Sequence, residues 1–375
     1  MRILIINWQD IKHPLAGGAE VHLHEIFERI VSMGHQVTLF SCGFPNAKKE
    51  ENINGIRVIR AGARSYFNFI LPFYYFGKLR KEKYDIVVLD INKIPFFTPF
   101  FIRHPRAGIV HHFFGKAIFL EASFPINYYV YFAEKLFLKI YRKLPILYYS
   151  PSTRDEMIKD GFPEENFHYV PIAVNLEHYR VLDDVPKEKT PLIAYLGRIK
   201  RYKSIDHILS AMPKVIEKVP DVKLAIIGDG DDRPRLEEMS KSLGISDRVI
   251  FTGFVSEDEK VRWLNRAWIV LSPSSKEGWG LTMTEANACG TPVIAANSPG
   301  LRDAVKDGET GILYPYGDIE SLGDNIIKLL TDDNLRNKLR DGGLKSAKRY
   351  TWDDAAKITL NVLEKIVKKS NEEKK

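Results

Sequence analysis

Between residues 172 and 190 the apolar periodicity of the chain stops, and charge and proline collect in the stretch V-L-D-D-V-P-K-E-K-T-P. On both sides of this break, short apolar runs alternate with amphipathic stretches, so the chain has to build two α/β sheets rather than one. Upstream, R-I-L-I-I-N-W (2–8) reads as a buried strand. A loop with Gly17 and Gly18 follows, and Val21, Leu23, Ile26, Phe27 and Ile30 mark one face of a helix closed by Gly34. Gln36–Ser41 then completes a βαβ unit. Further strands are expected over Ile86–Asp90, Ala107–His111 and Ile146–Ser150, with aromatic-rich, mostly helical stretches between them, giving an open parallel sheet. Downstream, Leu192–Leu196, Lys223–Gly228, Arg248–Thr252, Trp268–Ser272, Pro292–Ala296 and Gly311–Tyr314 read as the strands of a second doubly wound sheet. The expected organisation is a first domain over 1–175, a linker over 176–190 and a second domain over 191–350. A helix over 351–375 then crosses back to the first domain and ends in a disordered lysine-rich tail.

A chain of 375 residues with 45% hydrophobic and 27% charged residues has enough apolar surface for two cores, which excludes a disordered protein and a small binding module. Cys42 and Cys289 match no metal-ligand spacing and no disulfide framework, which fits a reducing, cytoplasmic compartment. No apolar run reaches the roughly 18 residues of a membrane span, and Ile3 to Ile6 is too short for a signal-peptide core, so membrane contact is expected to be peripheral. The net charge is +7, of which +6 falls in residues 1–180. Residues 64–149 hold 24 of the 43 aromatic residues, and residues 60–143 carry 14 Lys/Arg against 5 Asp/Glu. Rings in that number exceed what one helix-on-sheet face must bury; flanked by bases, they suit an anionic membrane surface, the plainer alternative being core filling. No nucleic-acid-binding motif accompanies them.

Chemistry concentrates in E-G-W-G-L-T-M-T-E-A-N-A-C-G-T-P-V-I-A (277–295). Glu277 follows a strand at its carboxyl end, where open sheets bind ligands, and Gly278 and Gly280 let backbone N–H groups approach a ligand closely. Leu281 and Thr282 begin a helix whose amino end favours phosphate oxygens, and Glu285 lies one turn in, placed to accept hydrogen bonds from sugar hydroxyls. Gly197, Arg198 and Lys203 follow the first strand of the second domain; two cations at such a turn neutralise a diphosphate without a metal. His111 and His112 follow a strand of the first domain, where a neutral imidazole can hydrogen-bond a sugar or move a proton. Gly17 and Gly18 alone are an ordinary tight turn, and Gly228-Asp229-Gly230 is turn chemistry first.

Together these segments resemble the retaining glycosyltransferases of family 4, the GT-B group that includes glycogen and sucrose-phosphate synthases. The resemblance runs in order through G-G-A-E (17–20), S-P-S-T-R-D-E (150–156), V-P-I-A-V-N (170–175), G-R-I-K-R-Y-K-S (197–204), I-I-G-D-G (226–230), F-T-G-F-V (251–255) and the E-x7-E string. It implies an α/β GT-B fold, two Rossmann-like doubly wound domains facing a central cleft, with the acceptor on the first and a nucleoside-diphosphate sugar on the second. It also implies that the Gly17-Gly18 loop, with Glu20 beside it, closes on the donor phosphates and that His111 or His112 faces the donor sugar. The nucleobase would lie between Asp229 and Val255. Glu121 resembles a glutamate found here in related sequences and, with His112, is expected near the acceptor. Ser204 stands where the family usually has glycine.

The expected function is retaining transfer of a hexosyl or N-acetylhexosaminyl group to a lipid-linked or membrane-associated glycan, on the inner face of the cell membrane. No metal or other cofactor is expected, and no nucleic acid. Catalysis falls to His111, Glu277, Arg198 and Lys203. A nucleotide-sugar epimerase or phosphorylase on the same scaffold, or a non-catalytic nucleotide-sugar or glycan binder, are the alternatives; a binder would be expected to lack Glu277, Arg198 or Lys203, and all three are present.

Overall fold

Ile3, Leu4, Ile5 and Ile6 are fully buried, so β1 (Arg2–Ile6) is covered on both faces, as the inner strand of a parallel sheet must be. The computed structural model describes residues 1–91, 95–113, 115 and 118–373, apart from the side chains of Leu120, Glu121 and Leu138. After β1 come α1 (Gly18–Ser32), β2 (Gln36–Ser41), β3 (Glu50–Ile53), β4 (Ile56–Arg60), α2 (Phe67–Gly77), β5 (Ile86–Ile91) and β6 (Arg106–Val110). The chain continues through α3 (Ile118–Glu121), α4 (Ile126–Ile140), β7 (Ile146–Tyr148), α5 (Pro151–Lys159) and β8 (Phe167–Tyr169). The strands form one sheet in the order β3-β4-β2-β1-β5-β6-β7-β8. Every pairing is parallel except β3 with β4, so the expected all-parallel sheet is corrected to a mixed one with an antiparallel edge hairpin. Asn54 and Gly55, both at positive φ (49° and 89°), make the turn of that hairpin.

The second sheet runs β11-β10-β9-β12-β13-β14 and is parallel throughout. Its strands are β9 (Leu192–Leu196), β10 (Lys223–Ile227), β11 (Val249–Gly253), β12 (Ile269–Ser272), β13 (Val293–Ala296) and β14 (Gly311–Tyr314). They alternate with α6 (Ile205–Lys218), α7 (Arg233–Ser242), α8 (Glu257–Arg266), α9 (Leu281–Ala288) and α10 (Leu301–Ala304), and α11 (Ile319–Thr331) and α12 (Asp333–Ala347) follow β14. The chain builds outward from β9 to β11, returns to the other side of β9, and builds outward again from β12 to β14. That reversal is a topological switch point, where crossover loops diverge and leave a crevice at the carboxyl ends of β9 and β12.

The described residues divide into two compact units, Met1–Lys116, Phe124–Ile172 and Thr351–Lys375 in one, Ala117–Ser123 and Ala173–Tyr350 in the other. This departs from the expected boundaries in two places. The short helix α3 belongs with the second unit, because it packs on the one-turn helix Arg201–Lys203. The expected linker is not free: Val174 and Tyr179 enter the second core, Leu176 and Leu182 pack against it, and the Leu182 N–H donates to Asn265 Oδ1 (2.9 Å). The final helix, α13 (Trp352–Glu372), packs on α1 of the first unit, with Trp352 buried against His22. It stays helical to Glu372 rather than ending in a disordered tail from Lys368, because Glu and Lys are good helix formers even after the apolar face has run out.

A buried ion pair secures the loop after β1. Arg60, at the end of β4, donates from Nε (2.7 Å) and Nη2 (2.8 Å) to Asp10, and neither side chain is more than 2% exposed. Burial works against the Asp10 charge, but the Arg60 hydrogen bonds and those from Lys12 N–H and Ser41 outweigh it and hold its carboxyl below the ordinary range. Arg60→Leu strands that carboxylate, and urea unfolding should show a loss of about 3–5 kcal/mol. An unchanged midpoint would contradict this role for the pair.

Candidate functional site

Three loops at the carboxyl ends of β9, β10 and β11 are locked backbone to backbone. The Gly197 N–H donates to Ile227 O (3.0 Å), Ile199 N–H to Asp229 O (2.9 Å) and Gly228 N–H to Gly253 O (3.0 Å). A Cβ on Gly228 would lie 2.1 Å from Gly197 O, and one on Gly230 2.0 Å from Ile199 O, so only glycine permits this approach. Gly197 and Asp229 are thereby set side by side. Arg198 follows with an exposed side chain and its carbonyl held by Tyr195 OH (3.1 Å).

The one-turn helix Arg201–Lys203 then carries Lys203 to the switch point. Its Nζ donates to Glu277 Oε1 at 2.5 Å, joining the β9 loop to the β12 loop across 74 residues of chain, and both side chains are at most 16% exposed. Burial disfavours the Lys203 charge, but Glu277 more than offsets this and its ammonium pKa lies above the ordinary value. Ser204, next in the chain, adopts the left-handed conformation (φ 53°) that glycine favours, and shares a hydrogen bond with Tyr316 OH (3.0 Å). The turn thus keeps a glycine-like course with serine in place.

Glu277 is held from below by a turn that sequence reasoning missed. Its N–H donates to Pro299 O (3.0 Å), and Gly300, at φ 83°, lies so close that a Cβ would sit 2.2 Å from Glu277 O. The signal was Ser298-Pro299-Gly300 directly after a strand, a turn string that follows β13. Gly280 (φ 97°) caps α9 without a side chain, leaving the first N–H groups of Leu281 and Thr282 free of a capping group. Gly278 and Trp279 complete the loop, with Trp279 Nε1 donating to Thr284 Oγ1 (3.1 Å).

Glu285 is not drawn into the Lys203–Glu277 pair. It faces Lys260 of α8 (3.0 Å), which also reaches Glu257 (3.5 Å), and Tyr179 OH donates to Glu257 (2.6 Å). Lys260 and Tyr179 went unnoticed in the sequence because Lys260 lies in a charged helical stretch and Tyr179 in the apparent linker. Val255, just after β11, is partly buried against the core of the same unit.

In the first unit the setting of His111 differs from the expected one. Its ring is 3% exposed, Nε2 meets Asp90 Oδ1 at 2.8 Å, and Nδ1 lies in hydrogen-bond contact with Tyr149 OH. Both ring nitrogens therefore have partners inside the fold. The cause is register: β6 pairs with β5 so that Ile109 is opposite Asp90, and the residue just beyond β6 meets that carboxylate. Burial opposes a charge on His111, yet Asp90 and Glu20 raise its pKa above the ordinary value. Glu20, buried on α1, accepts the Gly17 N–H (2.7 Å) and so fixes the start of the Gly17-Gly18 loop. Its own pKa is raised by burial and by Asp90. Asp90, an acid ending an otherwise apolar strand, was the readable sign of this cluster. His112 is half-buried at the same strand end, and the side chain of Glu121 lies outside the described residues.

Gly300→Ala must displace the Glu277 loop, since a Cβ 2.2 Å from a carbonyl oxygen cannot be accommodated. Steady-state kinetics with the donor class that the sequence resemblance implies should show turnover at least about 10-fold lower, as expected when a positioned group moves by about an ångström. Wild-type turnover in a folded Gly300→Ala protein would show that the turn does not position Glu277.

Two family models match in tandem: Glycosyltransferase Family 4 over residues 16–178 and Glycosyl transferases group 1 over residues 183–346. An uncharacterized glycosyltransferase of Methanocaldococcus jannaschii is 27% identical, over 96% of this chain and 97% of the relative. Among solved structures, sucrose-phosphate synthase from Thermosynechococcus elongatus superposes with a TM-score of 0.81 at 21% identity, covering 97% of this chain and 98% of that one. Anabaena HepE in complex with UDP-glucose superposes with a TM-score of 0.75 at 16% identity, over 98% of this chain and 99% of that one. With both sheets of the GT-B fold present and both family models matched in order, the chain belongs to the family 4 glycosyltransferases.

Proposed function

We propose that this glycosyltransferase transfers a hexosyl or N-acetylhexosaminyl group, with retention at the anomeric carbon, from a nucleoside-diphosphate sugar to a lipid-linked or membrane-associated glycan. The observation that carries this reading is the Lys203–Glu277 pair at the switch point between β9 and β12, beside the amino end of α9. Glu277 neutralises Lys203. A donor diphosphate brings its own negative charge to the ammonium, and Glu277 is then released to accept hydrogen bonds from hydroxyls of the donor sugar. Arg198, exposed at the same strand end, adds a second cation, and the Leu281 and Thr282 N–H groups add donors along the helix axis.

These groups act on charge that grows as the sugar–phosphate bond breaks, and a preorganised site needs little reorganisation to meet it. Because Arg198 and Lys203 together balance the charge of a diphosphate, the reading assigns no step to a divalent metal. Acceptor attack from the face the diphosphate leaves would account for retention, as the family resemblance implies. A nucleotide-sugar donor is supported by the UDP-glucose bound in the HepE neighbour. The nucleobase would lie against Gly197, Asp229 and Val255, and Glu285, held by Lys260, would meet the ribose. The first unit would take the acceptor, with the protein peripheral on the cytoplasmic face. Two free, buried cysteines suit that compartment, and no described helix is long and apolar enough to cross a membrane.

Arg198→Ala and Lys203→Ala should each lower kcat by about 10²–10³, comparable to removing one preorganised donor. Turnover should survive a strong chelator, and NMR of the first product should show the donor's anomeric configuration kept. Wild-type kcat in both variants, activity restored only by added magnesium, or an inverted product would each contradict the reading.

A further inference from the structure

The aromatic residues of the first unit are divided almost evenly between inside and outside. On α2, Phe67, Leu71 and Tyr75 are at most 2% exposed, whereas Phe69, Phe73 and Phe76 are 64%, 80% and 51% exposed. An ordinary surface helix carries charge on its outer face; residues 65–77 contain no charged residue at all. On α4, Val130, Ala133 and Phe137 face inward, while Phe124, just before the helix, and Tyr128 and Phe132 on it, spaced four apart, form an outward ladder with ring centroids 6.1 and 6.4 Å apart. Phe124 and Phe132 are 78% and 61% exposed, and Phe100, on the turn between these helices in the chain, 74%.

These side chains share one side of the first sheet. Phe67, Leu71 and Tyr75 of α2 and Phe137 of α4 enter a single core with Leu4 and Ile6 of β1, and not with Ile3 and Ile5, whose side chains point to the opposite face. The two helices are also tied to the connecting turn. Tyr141, capping α4, bonds Thr98 N–H and Oγ1 at 3.0 Å each, and Phe101 packs against Tyr75 and Phe76. This many exposed large apolar side chains on one side of a sheet is uncommon on a soluble surface and marks an interaction site.

Charge identifies the partner. Exposed Arg80 and Lys81 follow α2, Arg103 follows the Thr98–Phe100 turn, and Lys139, Arg142 and Lys143 close α4. The nearby acids are engaged: Glu82 binds Arg57 and Tyr84 (2.8 Å each), Asp85 accepts the Arg2 N–H (2.7 Å), and Glu134 is buried and accepts the Gly115 N–H (2.9 Å). A second copy would present the same excess of positive charge and be repelled. A planar anionic surface with an apolar interior meets both the rings and the bases.

We infer that this face of the first unit docks on an anionic lipid bilayer, with Phe73, Phe100, Phe124 and Phe132 entering the acyl boundary and the bases at the helix ends meeting the headgroups. The inference deepens the acceptor reading given above and rests on it only for the acceptor's identity. Docking would bring the protein to the plane in which a lipid-linked acceptor resides. Apolar insertion resists salt and the headgroup contacts do not, so the two contributions separate experimentally.

The full chain should co-sediment with phosphatidylcholine vesicles containing 30% phosphatidylglycerol, bind pure phosphatidylcholine vesicles at least tenfold more weakly, and be weakened but not released by 0.5 M salt. Phe73→Ser with Phe132→Ser, both exposed and so not needed for folding, should lower partition at least tenfold, and Arg142→Glu with Lys143→Glu should remove the preference for the anionic lipid. Lys203→Ala should bind vesicles as wild type does; if it also kept full turnover, the donor site assignment would fail and the docking surface would stand. Wild-type protein left in the supernatant, or partition unchanged in the Phe73/Phe132 variant, would overturn the inference. So would a dimer in sedimentation velocity that the same variant dissociates, which would make this face an interface between copies.

Discussion

A buried ammonium group needs a counter-charge, and the second unit supplies one from a loop 74 residues away. Much of that unit can be read as the means of making the Lys203–Glu277 contact possible. The reversal of strand order puts β9 beside β12, glycines at 197, 228 and 230 let neighbouring loops touch through their backbones, and Gly300 supports the Glu277 loop from beneath. An ion pair of this kind is weak evidence for stability, since the desolvation of both partners offsets its attraction. What the pair does in the fold is join the β9 loop to the β12 loop at the switch point.

The first unit repeats the device at its own reversal of strand order, between β1 and β5. There Glu20 caps the start of α1, and Asp90, next to the last residue of β5, accepts a hydrogen bond from His111 at the end of β6. Here the charges are satisfied within the fold, and the visible product is a fixed loop at Gly17 rather than an open site. The two units thus use similar sheets in different ways, one pairing a buried cation with a distant loop and the other using its charges to hold backbone.

The second sheet was legible in the sequence almost strand by strand, because its inner strands are buried apolar runs separated by amphipathic helices with short loops. The E-x7-E string and the Arg198–Lys203 turn were legible for a related reason: glycines and charges that no core requires stand out at strand ends. What escaped was of three kinds. In the β3–β4 hairpin β3 is short and polar, and Asn54-Gly55 is its one sign in the sequence. The segment 176–190 has no period, yet Tyr179 and Val185 bury irregularly, which pattern reading cannot detect. His111 was placed by counting from its strand, but the carboxylate that captures it arrives from a neighbouring strand, and cross-strand contacts are invisible in one dimension. The aromatic excess was plain in the sequence, while its division into core and surface needed the helix faces to be known.

The central claim is that the second unit recognises a diphosphate through Lys203. Thermal unfolding of the full chain with the diphosphates of uridine, guanosine and adenosine, each against its own monophosphate at equal concentration, tests this most directly. A ligand that binds only the folded state stabilises it by RT ln(1 + [L]/Kd), so the midpoint orders the affinities. At least one diphosphate should raise the midpoint well above its monophosphate, and the gap should close in Lys203→Met. Equal shifts for every pair, or a gap that survives Lys203→Met, would contradict the account.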